Sequence, residues 1–197
     1  MTPEILILAA GSSSRMRGGD KLLEIIDGEA QLTRIARAAL STGCPVTVAL
    51  PPDRPARNAC LIGLPIQTVT VPNPQDGMAA SLIAGLCALP AKAPVLALLA
   101  DLPEITSTDL QAVLAAWQAQ PDRILRGTGA DGTPGHPVGF PPDLRGELME
   151  LKGDQGARAV IQRHKDRLLP VALPGAHATT DLDTPEDWTA WRASRNL

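Results

Sequence analysis

The chain has no tyrosine and one phenylalanine, and aromatic residues make up 2% of its 197 positions. Its core must therefore be built from Leu, Ile, Val and Ala. It also lacks a block of basic residues: 18 Lys and Arg stand against 21 Asp and Glu, a formal charge of -3. A nucleic-acid-binding face needs concentrated cations to neutralise phosphates, so that class of partner is excluded. Long hydrophobic runs are missing too. The aliphatic stretches at residues 5–10 and 95–100 are short, whereas a membrane span needs about 20 residues. Glu4 stands where a secretory leader carries positive charge. The expectation is a cytoplasmic protein with neither membrane nor nucleic acid as partner. Cys44, Cys60 and Cys87 are widely spaced, odd in number and form no CxxC pair. They specify no disulfide framework and no zinc site, and read as three reduced, buried thiols.

What is present is an ordinary globular composition, 44% hydrophobic and 20% charged, in a length that suits one domain, residues 1–197, with a sizeable core. Strand and helix patterns alternate from the start, the signature of an α/β layer fold with a largely parallel sheet. Residues 4–10 and 95–100 are continuous apolar runs, as in strands covered on both faces. Further strands are expected at 45–50, 66–71, 123–126, 137–140, 168–173 and 179–182. Residues 29–42 put Leu32, Ile35, Ala36, Ala39 and Leu40 on one helical stripe. Helices are also expected at 78–89, from Thr106 or Ser107 onward, at 142–151 and at 155–165. Thr184-Pro185-Glu186-Asp187 is a strong helix start: a Thr cap, Pro at the first helical position and acids in the first turn.

Residues 8–16, Leu-Ala-Ala-Gly-Ser-Ser-Ser-Arg-Met, lead from the first strand into a loop of small residues, with Lys21 downstream. Ligands of open α/β sheets lie at the C-terminal strand ends. Small residues let backbone N–H groups approach phosphate oxygens, and Arg15 and Lys21 would neutralise a polyphosphate. The loop is neither a Walker A nor a GxGxxG motif. On these grounds alone it is either a phosphate cradle or a surface β–α connection with incidental charge.

Asp101 ends the second apolar run and precedes Leu102-Pro103. A carboxylate there is costly unless solvated or paired with a cation, and a hard divalent cation is one such partner; a turn or cap role is the alternative. Asp181 and Asp183, at i and i+2 of an extended segment, point to one side. They complete a metal site with Asp101 if the chain brings them together. Otherwise Asp183 supports the helix start at Thr184. The segment 73–82 enters a helix N-terminus, a natural anion or base-edge site. His136 sits in a Gly/Pro turn, where a lone His is more often structural. Arg158 suits bidentate phosphate binding, or belongs to an ordinary interhelical connection.

These blocks, taken in order, resemble the MobA-like NTP transferase family, and within it the molybdenum cofactor cytidylyltransferase (MocA-like) branch. Residues 8–16 with Lys21 resemble the family's nucleotide-binding signature. The spacer 17–20 lacks the Pro of the sugar-nucleotide branch. Ala100-Asp101-Leu102-Pro103 resembles its metal motif, and residues 181–187 resemble the Asp-x-Asp-Thr-Pro-Glu-Asp ending of the cytidylyl branch. Residues 77–82 resemble the nucleobase-pocket segment. Gly135-His136-Pro137-Val138 and residues 153–158 resemble acceptor-side segments.

The resemblance implies a three-layer α/β/α, Rossmann-like nucleotidyltransferase fold of the nucleotide-diphospho-sugar transferase type. It implies transfer of CMP from CTP to molybdenum-bearing molybdopterin, with release of pyrophosphate. Arg15, Lys21 and Asp101 would be catalytic. Ala9, Ala10, Gly11, Ser12, Arg15, Lys21, Gly77, Met78 and Ser81 would surround the nucleotide. Asp101 with Asp181 or Asp183, Asp181 being favoured, would hold Mg²⁺ or Mn²⁺. His136, Asp154 and Arg158 would receive the acceptor. A molybdenum hydroxylase or its maturation chaperone is the implied downstream partner. A guanylyltransferase is the alternative within the class, from which Ala10 and Gly77-Met78 depart. Sugar or polyol phosphates are alternative acceptors. A non-catalytic nucleotide- or cofactor-binding chaperone is the alternative outside the class, and intact Arg15, Lys21 and Asp101 argue against it.

Overall fold

The computed structural model describes residues 2–153 and 156–195. From the N-terminus run β1 (Glu4–Leu8), a hairpin of β2 (Ile25–Ile26) and β3 (Glu29–Ala30), α1 (Gln31–Leu40), β4 (Val46–Leu50), α2 (Pro55–Ala59), β5 (Gln67–Thr70) and α3 (Met78–Ala88). Then come β6 (Val95–Leu99), α4 (Ser107–Ala119), β7 (Ile124–Thr128), β8 (Pro134–Phe140), α5 (Arg145–Met149), α6 (Arg158–Arg163), β9 (Leu168–Ala172) and α7 (Pro185–Ser194). Seven strands form one sheet in the order β5-β4-β1-β6-β8-β7-β9. Only β8 runs antiparallel to its neighbours; the other pairings are parallel.

The two continuous apolar runs are explained by the layers. Successive strand side chains point to opposite faces. Ile5 and Ile7 of β1 and Leu96 and Leu98 of β6 enter a core shared with Leu32 and Ile35 of α1 and Leu110 and Val113 of α4. Leu6 and Leu8, with Val95 and Ala97, enter a second core with Leu82 and Leu86 of α3, Leu148 of α5 and Val160 of α6. Helices cover both faces, so no position on these strands needs to be polar. A third cluster joins Met16, Ile26, Leu182, Trp188 and Trp191. The two Trp rings of α7 meet edge to face at 5.9 Å. Together with the buried Trp117, they supply much of the bulk that the missing tyrosines would have given.

Three expectations are corrected. The helix expected from residue 29 starts at Gln31, because Glu29 and Ala30 pair with Ile26 and Ile25. The turn between them holds Asp27 at φ 52 and Gly28 at φ 84, the left-handed pair of a tight hairpin. Residues 179–182 are not a strand. The Ala176 carbonyl accepts from the N–H groups of both Thr179 and Thr180, which closes a turn there, and Asp181–Asp183 then cross the sheet end. The thiols are not all buried: Cys87 is exposed and Cys44 and Cys60 are half-buried. No helix among the described residues is long and apolar enough to cross a membrane.

Leu8 lies opposite both Ala49 of β4 and Leu99 of β6. Three parallel strands therefore end at one level, and the loops that follow them form a single rim.

Candidate functional site

Beyond that rim lies a cleft of about 760 Å³. Ala9, Ala10, Gly11, Ser12, Arg15 and Lys21 line it from the β1 side, Gly77, Met78 and Ser81 from the start of α3, and Asp101, Asp181 and Asp183 from the far side. His136 and Arg158 line a neighbouring pocket instead, and Met78 lines both. Asp154 lies outside the described residues.

The loop after β1 is held in a strained form. Ser13 and Arg17 adopt left-handed φ values of 52 and 50, each at a cost of order 1–3 kcal/mol that persists only where the surroundings impose the conformation. At Ser13 the constraint comes from Arg57 of α2, a residue that sequence reasoning missed. Its guanidinium, fully buried, donates to both Asp20 carboxylate oxygens at 2.7 and 2.9 Å, to the Ala9 carbonyl at 2.6 Å and to the Ser13 hydroxyl at 3.0 Å. One cation thereby ties together the strand end, the loop and the residue before Lys21. Burial alone would raise the Asp20 carboxyl; the hydrogen bonds and charge of Arg57 outweigh it and hold the group below its usual value. Arg54, also not anticipated, lines the cleft and donates to the Ser12 carbonyl at 2.9 Å.

Asp101 is positioned by α1. Gln31, the buried first residue of that helix, donates to the Ala100 carbonyl at 2.9 Å, and Arg34 donates to the Pro103 carbonyl at 2.5 Å. Beside Asp101, Asp181 and Asp183 reach the cleft because the chain crosses the start of β8 at Gly135. A Cβ there would stand 2.0 Å from the Ala178 carbonyl oxygen, so any larger residue would push the crossing segment away. The cap of α7 is made by Thr184 with Asp187. Asp187 also accepts from the Asp183 N–H at 3.2 Å. The Asp183 side chain is not part of the cap and faces the cleft.

The charges converge on Lys21. Its ammonium donates to Asp101 Oδ2 at 2.5 Å and to Asp183 Oδ1 at 2.6 Å, while Arg15 donates to Asp183 Oδ2 at 2.5 Å. Burial would lower the Lys21 pKa, but the two carboxylates reverse this and raise it. The lysine stays charged. Partial burial, then the negative charges of Asp101 and Asp183, raise the Asp181 carboxyl above its ordinary value. Among the described residues, Asp101 Oδ1 is buried without a hydrogen-bond partner.

Two carboxylates on one cation, a third close enough for its pKa to feel them, and one oxygen buried and unsatisfied fit a hard divalent ion that takes oxygen ligands. No preformed cluster of three ligating side chains at metal-binding spacing occurs among the described residues. A metal would therefore have to displace Lys21 from its carboxylates. The four-carbon stem of Lys21 leaves its ammonium able to move onto a phosphate.

A loop of small residues at strand ends, two cations and three carboxylates can hold both anionic oxygens and a hard cation. Residues 5–168 match the MobA-like NTP transferase domain. The chain belongs to this family. It is accordingly an enzyme of the nucleotidyltransferase type, on the Rossmann-like fold of nucleotide-diphospho-sugar transferases. It is 38% identical over 171 residues, 86% of this chain and 75% of the relative, to a probable molybdenum cofactor guanylyltransferase of Synechococcus elongatus. Rv0371c of Mycobacterium tuberculosis superposes on this transferase with a TM-score of 0.84 at 25% identity, over 97% of this chain and 98% of that one. Its manganese complex gives 0.81 at 23% identity, over 98% and 100%. CMP:2-keto-3-deoxy-manno-octonic acid synthetase, solved with CTP, shares the fold at a TM-score of 0.75 and 15% identity over the full length of both chains.

Proposed function

We propose that this transferase, acting as a single domain, moves a nucleotidyl group from an NTP to the phosphate of a molybdopterin-type acceptor and releases pyrophosphate. The observation that carries this reading is the Lys21 ammonium between Asp101 and Asp183, at the strand ends beside the Arg15 loop. An acceptor phosphate is already ionised at neutral pH, so no general base is needed. The demand is for positioning and charge neutralisation. Asp101 with Asp181 and Asp183 would hold a divalent cation, Mg²⁺ or Mn²⁺, which when bound neutralises phosphate charge. The manganese complex of Rv0371c supports the choice of ion. Arg15, on the exposed side of the cleft, grips the β- and γ-phosphates. Lys21 leaves the carboxylates for the α-phosphate and stabilises the charge that builds there. The expected result for Lys21→Ala is a fall in kcat of about 10²–10³-fold, larger than any rise in KM for the NTP. Steady-state kinetics with the NTP as varied substrate measure this. A pure KM effect would make Lys21 a ground-state anchor.

We assign CTP as the donor. Support comes from Ala10 at the strand end and Gly77-Met78 at the start of α3, both lining the cleft. A pocket shaped around cytosine rejects guanine by size and by polar groups left unpaired, at about 1–3 kcal/mol for each. A second reading, GTP, is favoured by the name of the Synechococcus relative. Measuring kcat/KM for CTP and GTP in the wild type and in an Ala10→Gly plus Met78→Pro variant decides between them. The CTP assignment predicts a preference of several orders of magnitude that shrinks in the variant. Equal or better use of GTP by the wild type replaces it with the second reading.

The product would pass to a molybdenum hydroxylase or its maturation chaperone. A cytoplasmic site of action belongs to the same proposal, supported by three free thiols, which suit a reducing compartment.

A further inference from the structure

The pocket next to the cleft is lined by two arginines, Arg126 and Arg158. Arg126 of β7 pairs in register with Val138 of β8, so both side chains rise from the same face of the sheet. That face packs against α3, α5 and α6, and Ile124, two residues before Arg126, is fully buried in its core. The strand pattern asks for another apolar residue at 126. Instead a half-buried guanidinium stands there, its Nε buried and without a hydrogen-bond partner. Among the described residues no carboxylate lies in ion-pair range of Arg126 or Arg158. Both arginines line one pocket of about 190 Å³, whose walls include Leu82, Val138 and Phe140. Burial, and then the positive charge of Arg158, lower the Arg126 pKa. Arg126 is half-buried and Arg158 exposed; the two cations on one partly apolar pocket repel, and the buried Nε of Arg126 is cut off from water. An anion between them would satisfy both.

We propose that Arg126, together with Arg158, clamps a phosphate-class oxyanion of the acceptor, and that the apolar walls receive the acceptor's flat body. This rests on the transferase reading above, which needs a phosphorylated acceptor, and it adds Arg126 as a specificity-determining residue. The placement suits the reaction. The pocket meets the cleft at Leu8 and Met78, away from the Pro51–Arg54 end. His136 on this pocket feels the charge of Asp101, so a phosphate held here can present one oxygen toward the reacting end of the cleft while the arginines hold the others. A planar guanidinium fork matches the oxygens of phosphate bidentately, which a lysine would not. His136, on the same pocket, is pushed down to about 4 mainly by burial, with Arg126 adding to the effect against Asp101 and the Ala97 carbonyl. At neutral pH it is uncharged and leaves the anion to the two arginines.

His136 also provides a local readout, because the chain has three histidines and His164 and His177 lie outside the pocket. The probe is inorganic phosphate, titrated at neutral pH while the three imidazole signals are followed by NMR. The expected result is a saturable shift of His136 alone, with affinity reduced about tenfold or more in Arg126→Gln and less in Arg126→Lys. Arg158→Gln, an exposed change, gives the same sign if Arg126→Gln folds poorly. In parallel, calorimetry with CTP and Mn²⁺ should give the same nucleotide affinity in wild type and Arg126→Gln. With molybdopterin as acceptor, KM for the acceptor should rise while KM for the NTP does not. Phosphate that leaves His136 unmoved in the wild type, or an Arg126→Gln affinity within twofold of wild type, overturns the clamp. Failure of the wild type to bind any NTP overturns the transferase reading, while the phosphate titration still decides the clamp.

Discussion

Replacing Asp101 by Asn should lower kcat/KM by about 10³-fold or more, with Tm kept within about 4 °C of wild type, which is about 1 kcal/mol for a chain of this size. The two halves of this expectation have separate causes. Activity falls because the group that faces both Lys21 and the acidic pair loses its charge, and one of its two oxygens becomes an amide NH2 that cannot ligate a cation. Stability holds because the backbone around Asp101 is fixed from α1, through Gln31 on Ala100 and Arg34 on Pro103. Lys21 also keeps Asp183, and the crowding of three carboxylates is relieved. Kinetics at saturating Mg²⁺ or Mn²⁺, alongside a thermal melt, check both. Near-normal turnover with either ion would remove Asp101 from the proposed metal site.

Arg57→Leu should have the largest effect on stability, a loss of about 3–5 kcal/mol, because it leaves the Asp20 carboxylate buried without its cation. That is a large share of the roughly 5–15 kcal/mol that holds a domain together. The left-handed turn at Ser13 would also lose the hydrogen bond that holds it, so NTP affinity should fall although Arg57 is buried beneath the loop. The pH dependence follows from Asp20. Its folded-state pKa lies below its ordinary value of 3.8. The pair therefore contributes fully above that value, and the contribution is lost as pH falls from there through the folded pKa. Urea unfolding at neutral pH and near pH 3 should show wild type and Arg57→Leu differing strongly at the first and much less at the second. A difference under about 1 kcal/mol at neutral pH would contradict the buried-pair account.

The parts of this molecule that local rules specify were legible from its sequence. The runs at 5–10 and 95–100 could only be strands covered on both faces, and Thr184-Pro185 opened α7 with the expected cap. The hairpin at residues 25–30 was legible in principle, since Asp27-Gly28 is a tight-turn pair. Its strands are only two residues each, and the helical stripe that follows masks them. The segment 179–182 reads as extended but has no strand to pair with, and a turn takes its amides. The Arg57 network was not legible: Arg57 and Asp20 are 37 positions apart, and a lone Arg in a short helix looks like surface charge. Arg126 looked equally ordinary until the register with Val138 turned it inward. Long-range ion pairing and side-chain facing come from tertiary packing, which no local pattern encodes.

The most direct measurement follows a labelled α-phosphate from the NTP onto the phosphorylated acceptor while counting pyrophosphate in the same reaction. Nucleotidyl transfer at this cleft predicts one pyrophosphate for each labelled acceptor. Release should depend on both acceptor and divalent cation, and should be abolished in Asp101→Asn. NTP binding without acceptor-dependent pyrophosphate release would contradict it, and would make the chain a nucleotide-binding protein on a transferase fold.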